Sequence, residues 1–173
     1  MLKSIGVERD GKPLVVVRTP PSRAAYHRFG NRIFGEVIET MDRCANTTCV
    51  VLTRHPEQRE AIQVLGLTNL VVPEHAVDSR SLLCEADLVI GAGGTMTREA
   101  ALMGVPTITI FAGEQSAVDR ELECKGYLRR LYHVEELVVV RRHSARPRSL
   151  DELRGRATAI ERTFVAETLA VVD

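Results

Sequence analysis

Cysteine is scarce and unpatterned. Cys44, Cys49, Cys84 and Cys124 form no C-x-x-C pair and have no histidine at ligand spacing, so a structural role is expected over a metal or redox one, three of them lying in or beside apolar periodic segments where a free cysteine acts as a small hydrophobe. Net charge is also lacking: 23 basic side chains balance 23 acidic ones. No global field therefore draws the chain towards nucleic acid or an anionic membrane. No stretch approaches the ~20 apolar residues of a membrane span, and Met1-Leu2-Lys3-Ser4 lacks the apolar run of a signal peptide. The cytoplasm is the expected compartment. No internal repeat or low-complexity segment appears. Lysine occurs only at Lys3, Lys12 and Lys125, from which nothing follows.

What is present is ordinary globular material. A chain of 173 residues with 45% apolar content suits one domain with a single good core. Short β-branched runs alternate with helical patterns, the mark of a parallel sheet covered by helices. Strands are expected at Leu14 to Arg18, Cys49 to Thr53, Asn69 to Val72, Asp87 to Ile90 and Thr107 to Phe111, with a short one between Leu128 and His133. Helices are expected at Asn31 to Cys44, Pro56 to Gly66, Asp78 to Glu85, after the glycines at 91–94, and at Ala117 to Cys124. The capping box Ser149-Leu150-Asp151-Glu152 opens a final helix whose apolar face is Leu150, Leu153, Ala157, Ile160 and Phe164. Arg141 to Arg148 read as a solvated loop, with a peripheral membrane or phosphate contact as the alternative.

The segment Ile90-Gly91-Ala92-Gly93-Gly94-Thr95-Met96-Thr97-Arg98-Glu99 carries the chemistry. Glycines between a buried strand and a helix let the backbone approach a ligand closely. The helix start adds unpaired N–H donors and the positive end of its dipole. Thr95 and Thr97 can add hydroxyl donors. A tight connection that merely needs small residues is the plainer reading, but three glycines in four positions exceed what a turn requires. A P-loop is excluded because no Gly-Lys-Ser/Thr follows. The dinucleotide fingerprint is weakened by Met96 at its third position and by its lateness in the chain, so a dehydrogenase trails. Glu99 lies one turn beyond Thr95 on the same face. It could accept hydrogen bonds from a sugar's vicinal hydroxyls, or equally it could complement the helix dipole.

On Asp87 to Met96, Arg98-Glu99-Ala100-Ala101, Gly104-Val105-Pro106 and Ala117-Val118-Asp119-Arg120, the chain resembles a prokaryotic family of unknown function. That family belongs to the GT-B glycosyltransferase and UDP-GlcNAc 2-epimerase group. The likeness covers most of Ile5 to Tyr132, and Gly6 to Arg18 is similar to the passage joining the two domains of such proteins. It implies a Rossmann-like parallel sheet with helices on both faces, equivalent to the C-terminal, nucleotide-sugar-binding half of a GT-B fold. Residues 1–13 would be linker-like, 14–148 the nucleotide-sugar domain, and 149–173 a helix packing on it.

The resemblance also implies roles. Gly91, Gly93, Gly94 and Thr95 would hold the UDP diphosphate, and Glu99 the ribose hydroxyls. Arg18 would lie near the phosphates, Gln115 and Asp119 would face the donor sugar, and Pro73-Glu74-His75 would lie beside the base. No metal and no cofactor are expected. The departure from the family pattern is the single domain: His27, His55, His75, His133 and His143 are scattered, and no acid–base pair is complete. Two functions follow. One is the UDP-sugar-binding half of a glycosyltransferase or epimerase, working with a separate acceptor-domain polypeptide. The other is a non-catalytic nucleotide-sugar-binding or regulatory module.

Overall fold

The computed structural model describes residues 2–8, 10–21 and 31–142, together with Gly155, Thr158 and Arg162. Six strands form one parallel sheet: β1 (Leu14–Arg18), β2 (Thr48–Leu52), β3 (Leu70–Val71), β4 (Leu88–Gly91), β5 (Thr107–Thr109) and β6 (Arg129–Arg130). Among the described residues, five α-helices alternate with them: α1 (Arg32–Arg43), α2 (Pro56–Val64), α3 (Ser79–Glu85), α4 (Thr95–Leu102) and α5 (Ala117–Cys124). Strand order across the sheet is β3-β2-β1-β4-β5-β6, the doubly wound arrangement of nucleotide-binding domains.

The sheet is buried on both sides, which is why its central strands read as unbroken apolar runs. Val15 and Val17 of β1 face Val37, Ile38 and Met41 of α1, with Cys49, Val51 and Ile90 beside them. Leu14 and Val16 face the other way, towards Leu82 and Leu83 of α3 and Ala100 of α4. Helix starts are fixed by side chains. Asn31 Oδ1 accepts the Phe34 N–H at 3.1 Å, Asp78 caps α3, Ser116 caps α5, and Pro56 occupies the first turn of α2.

Burial pushes the Cys49 thiol up to about 12, with Cys44 and Asp42 adding to the shift. It is therefore an inert core residue. All four cysteines are free, and Cys84 and Cys124 are exposed.

Several boundaries differ from the sequence expectation. β5 stops at Thr109 because Thr109 Oγ1 accepts the Phe111 N–H at 3.3 Å and draws the chain into a turn. β4 runs one residue further than expected, since Gly91 O accepts the Ile110 N–H at 2.8 Å. The segment before β1 is tied to the domain: Val7 is buried, and Leu2 and Ile5 pack beside it on the α3–α4 face.

Buried Asp87 closes the amino end of the sheet. Its Oδ2 accepts the Leu14 N–H at 2.8 Å and its Oδ1 the Arg142 N–H at 2.9 Å. Arg141 Nη1 donates to Gly11 O at 3.2 Å. The remainder of the arginine-rich loop lies outside the described residues. So does the expected final helix, apart from Gly155, Thr158 and Arg162, which are helical and exposed. No helix among the described residues is long and apolar enough to cross a membrane.

Candidate functional site

The strand order reverses between β1 and β4. Connections leaving their carboxyl ends run in opposite directions and leave a crevice, the usual ligand position in open α/β sheets. A cavity of about 800 Å³ opens there, bounded by Arg18, Arg54, Arg59, His75, Thr95 and Glu99 among others. Three of the expected site residues, Arg18, Thr95 and Glu99, therefore share one cleft, and so does the expected base-side stretch Pro73-Glu74-His75.

The glycine turn flanks this cleft, and its three glycines are required for different reasons. A Cβ on Gly91 would collide with the Thr97 hydroxyl, so Gly91 permits α4 to pack against the end of β4. Gly93 and Gly94 have φ of 80° and 93°, in the left-handed region that side chains rarely enter. Gly93 also lies against the Phe111 ring, and Gly94 against the Arg54 guanidinium. Gly94 is the N-cap of α4 and offers no capping side chain, so the first N–H groups of the helix are presented at the crevice. Thr97 contributes differently from the expectation. It is buried, and its hydroxyl donates to Gly93 O at 3.4 Å, which bends the turn and leaves hydroxyl donation to Thr95.

Two guanidinium groups stand beside the turn. Arg18, in register with Gly91, donates from Nη1 to Thr53 O at 2.7 Å. Burial pulls its ionisation below the ordinary arginine range, and the charge of Arg54 lowers it further. A positive pair pressed together in a half-buried crevice is relieved by an anion. Arg54 is held from two sides. Its Nε donates to Thr19 O at 3.1 Å, and its backbone N–H donates to Gln58 Oε1 at 2.9 Å. Gln58 also accepts from the Thr19 hydroxyl at 2.7 Å and donates to Pro20 O at 2.7 Å. One glutamine on α2 thus couples the loops leaving β1 and β2 and fixes Arg54 at the glycine turn.

Glu99 is half-buried, with one carboxylate oxygen 3.9 Å from Arg80 Nη2, too long for a hydrogen bond. Its acceptor capacity remains available towards the cleft. On the far wall, Arg59 of α2 donates to Glu74 at 2.6 Å. Among the described residues no cluster of three or more histidine, cysteine, aspartate or glutamate side chains could hold a metal ion.

Gln115 and Asp119 lie elsewhere, on the β5–α5 side. Asp119 is buried in a two-pronged pair with Arg98, Nε to Oδ1 at 2.8 Å and Nη2 to Oδ2 at 3.1 Å. Ser116 Oγ adds a donor at 3.0 Å. The Arg98 hydrogen bond, aided by Ser116 and opposed by burial, holds the Asp119 carboxyl below its usual range. Gln115 donates to Glu123 at 2.9 Å. Both side chains are engaged in fastening α5. Sequence reasoning missed Arg54 and Arg59. The available signal was position: Arg54-His55-Pro56 follows β2 as the glycines follow β4, at a carboxyl strand end.

The fold is a Rossmann-like parallel α/β domain, similar to a domain of solved UDP-GlcNAc 2-epimerases. The chain superposes on the UDP-GlcNAc 2-epimerase from Neisseria meningitidis bound to UDP-GlcNAc with a TM-score of 0.55, at 15% identity, over 74% of this chain and 34% of that one. A candidate UDP-N-acetylglucosamine 2-epimerase from Listeria monocytogenes gives a TM-score of 0.51 at 24% identity, with the same coverage of 74% and 34%. Residues 1–160 match the family described as protein of unknown function (DUF354), and the chain belongs to that family. It is 32% identical over 138 residues to the uncharacterized protein MJ0665 of Methanocaldococcus jannaschii, over 80% of this chain and 39% of that protein. The chain thus spans about two fifths of this relative's length.

Proposed function

We propose that this chain is the nucleotide-sugar-binding domain of a GT-B-type glycosyltransferase or epimerase, that its ligand is a UDP-sugar, and that an acceptor domain completes the active site. The observation that carries this reading is the convergence of Arg18, Arg54 and the start of α4 at the switch point, with Glu99 one helical turn further along the same cleft. The two cations and the free N–H groups suit a diphosphate. A carboxylate one turn deeper suits vicinal hydroxyls. The neighbouring solved structure that holds UDP-GlcNAc supports the choice of ligand class.

Titration calorimetry with UDP, UDP-GlcNAc and inorganic pyrophosphate tests the proposal. UDP and UDP-GlcNAc are expected to bind, more weakly as salt is raised. Glu99→Ala is expected to cost roughly 1.5–3 kcal/mol of UDP affinity, the range for hydrogen bonds to a charged group, and to leave pyrophosphate unaffected. Wild-type protein that takes up neither UDP nor a UDP-sugar would overturn the reading. A Glu99→Ala variant that loses only thermal stability would return Glu99 to a helix-dipole role.

A further inference from the structure

Arg54 lines the cleft, and its Nη2 lies 3.5 Å from where Gly94 would carry a Cβ. Behind it, outside the cleft lining, is Gln58. Gln58 Oε1 accepts the Arg54 backbone N–H at 2.9 Å and the Thr19 hydroxyl at 2.7 Å, while its Nε2 donates to Pro20 O at 2.7 Å. An N–H on one side and a carbonyl on the other call for an acceptor and a donor on one stem, which an amide supplies and a carboxylate does not. Gln58 is the third residue of α2, after the N-cap His55. In a capping box a glutamine there returns to the N–H of the cap residue; here it reaches past His55 to Arg54. The strand ends are also locked reciprocally. Arg18, ending β1, donates to Thr53 O beyond β2, and Arg54 Nε donates to Thr19 O beyond β1. Arg54 is thus held at its backbone by Gln58 and at its Nε by Thr19, with Nη2 beside the start of α4.

We propose that Gln58 is a positioning residue for the anion site: it touches no ligand, and it sets affinity by holding the Arg54 guanidinium in place before an anion arrives. This inference rests on the reading of the cleft as a diphosphate site. An arginine that is free to rotate loses its rotamer freedom on binding, and that loss is subtracted from affinity. One already fixed by Gln58 and Thr19 binds without it. The guanidinium gains more from such fixing than an ammonium would, because its donors form a planar fork that must be aimed, whereas an ammonium acts as a point charge on a flexible stem.

The test is titration calorimetry with pyrophosphate at low salt on wild type, Gln58→Leu and Thr19→Val, with each substitution repeated in an Arg54→Lys background. Lysine keeps the charge, so binding stays measurable, but its ammonium reaches the anion without a fixed stem. Gln58→Leu is expected to weaken pyrophosphate binding about tenfold when Arg54 is present and less than about twofold in the Arg54→Lys background, the non-additivity of residues that act through one another. Thr19→Val removes the hydroxyl that holds Gln58 and should weaken binding in the same direction and with the same dependence on Arg54, which decides the matter if Gln58→Leu folds poorly. Affinity unchanged in both variants, or lost equally in both backgrounds, makes Gln58 a residue of the helix start alone and overturns the proposal. Wild type that binds neither pyrophosphate nor UDP overturns the anion site itself and this inference with it.

Discussion

At Gly91 the side chain is excluded by a neighbour, because the Thr97 hydroxyl occupies the space a Cβ would need. Gly91→Ala is expected to cost roughly 1–3 kcal/mol of stability, the range for overpacking, as read by urea unfolding. Adding Thr97→Ala removes the nearest atom and should recover part of that loss. An equal cost with and without Thr97 would show that crowding is not the cause. Gly93 and Gly94 are constrained through φ, so any side chain there is strained whatever the space. A substitution at either would mix lost stability with lost binding. Glu99, on a regular helix, gives the cleaner measure of ligand contact.

Among the elements, α4 and α5 are joined by the Arg98–Asp119 pair. Asp119 has a lowered value in the folded state. Its stabilising contribution is complete above the ordinary 3.8 and is lost as pH falls through the lowered value. Asp119→Asn should therefore be less stable than wild type at neutral pH by roughly 1–3 kcal/mol. That is short of a fully buried pair, because the Arg98 side chain is 33% exposed. The gap should close as pH falls below 3.8 and through the lowered value; urea midpoints at neutral and at acid pH measure it, and a constant gap would place the effect in packing.

The same elements show what the sequence made legible. Each strand and helix through α5 was visible from β-branched runs and helical spacing, because a parallel sheet buries both faces and punctuates itself with caps. The glycine turn was visible because its composition is local. Arg54 and Arg59 were not, since their place in the cleft depends on β2 lying beside β1, and strand order leaves no local trace. Nor could spacing foresee that Thr97 turns inward to Gly93, or that Asp119 and Gln115 are occupied by Arg98 and Glu123.

For the whole molecule, the cleft brings Arg18, Thr95 and Glu99 together, and the proposed function needs an acceptor held against that donor site. Group transfer needs the acceptor hydroxyl within ~3–3.5 Å of the reacting carbon, and a base to take its proton. The chain alone is expected to bind UDP-GlcNAc without releasing UDP or forming an epimer, and to become active when an acceptor domain is supplied. Product formation by the purified chain would overturn that division of labour. The two walls of the crevice also differ in how they can change over generations. On the glycine side a steric collision and two left-handed residues leave almost no substitution open. On the Arg59–Glu74 side the wall is made of long side chains that point mutations can exchange without moving the backbone. Descendants of this domain can thus vary the α2 wall of the crevice in single steps, whereas the glycine side is fixed by the main chain and passes on unchanged.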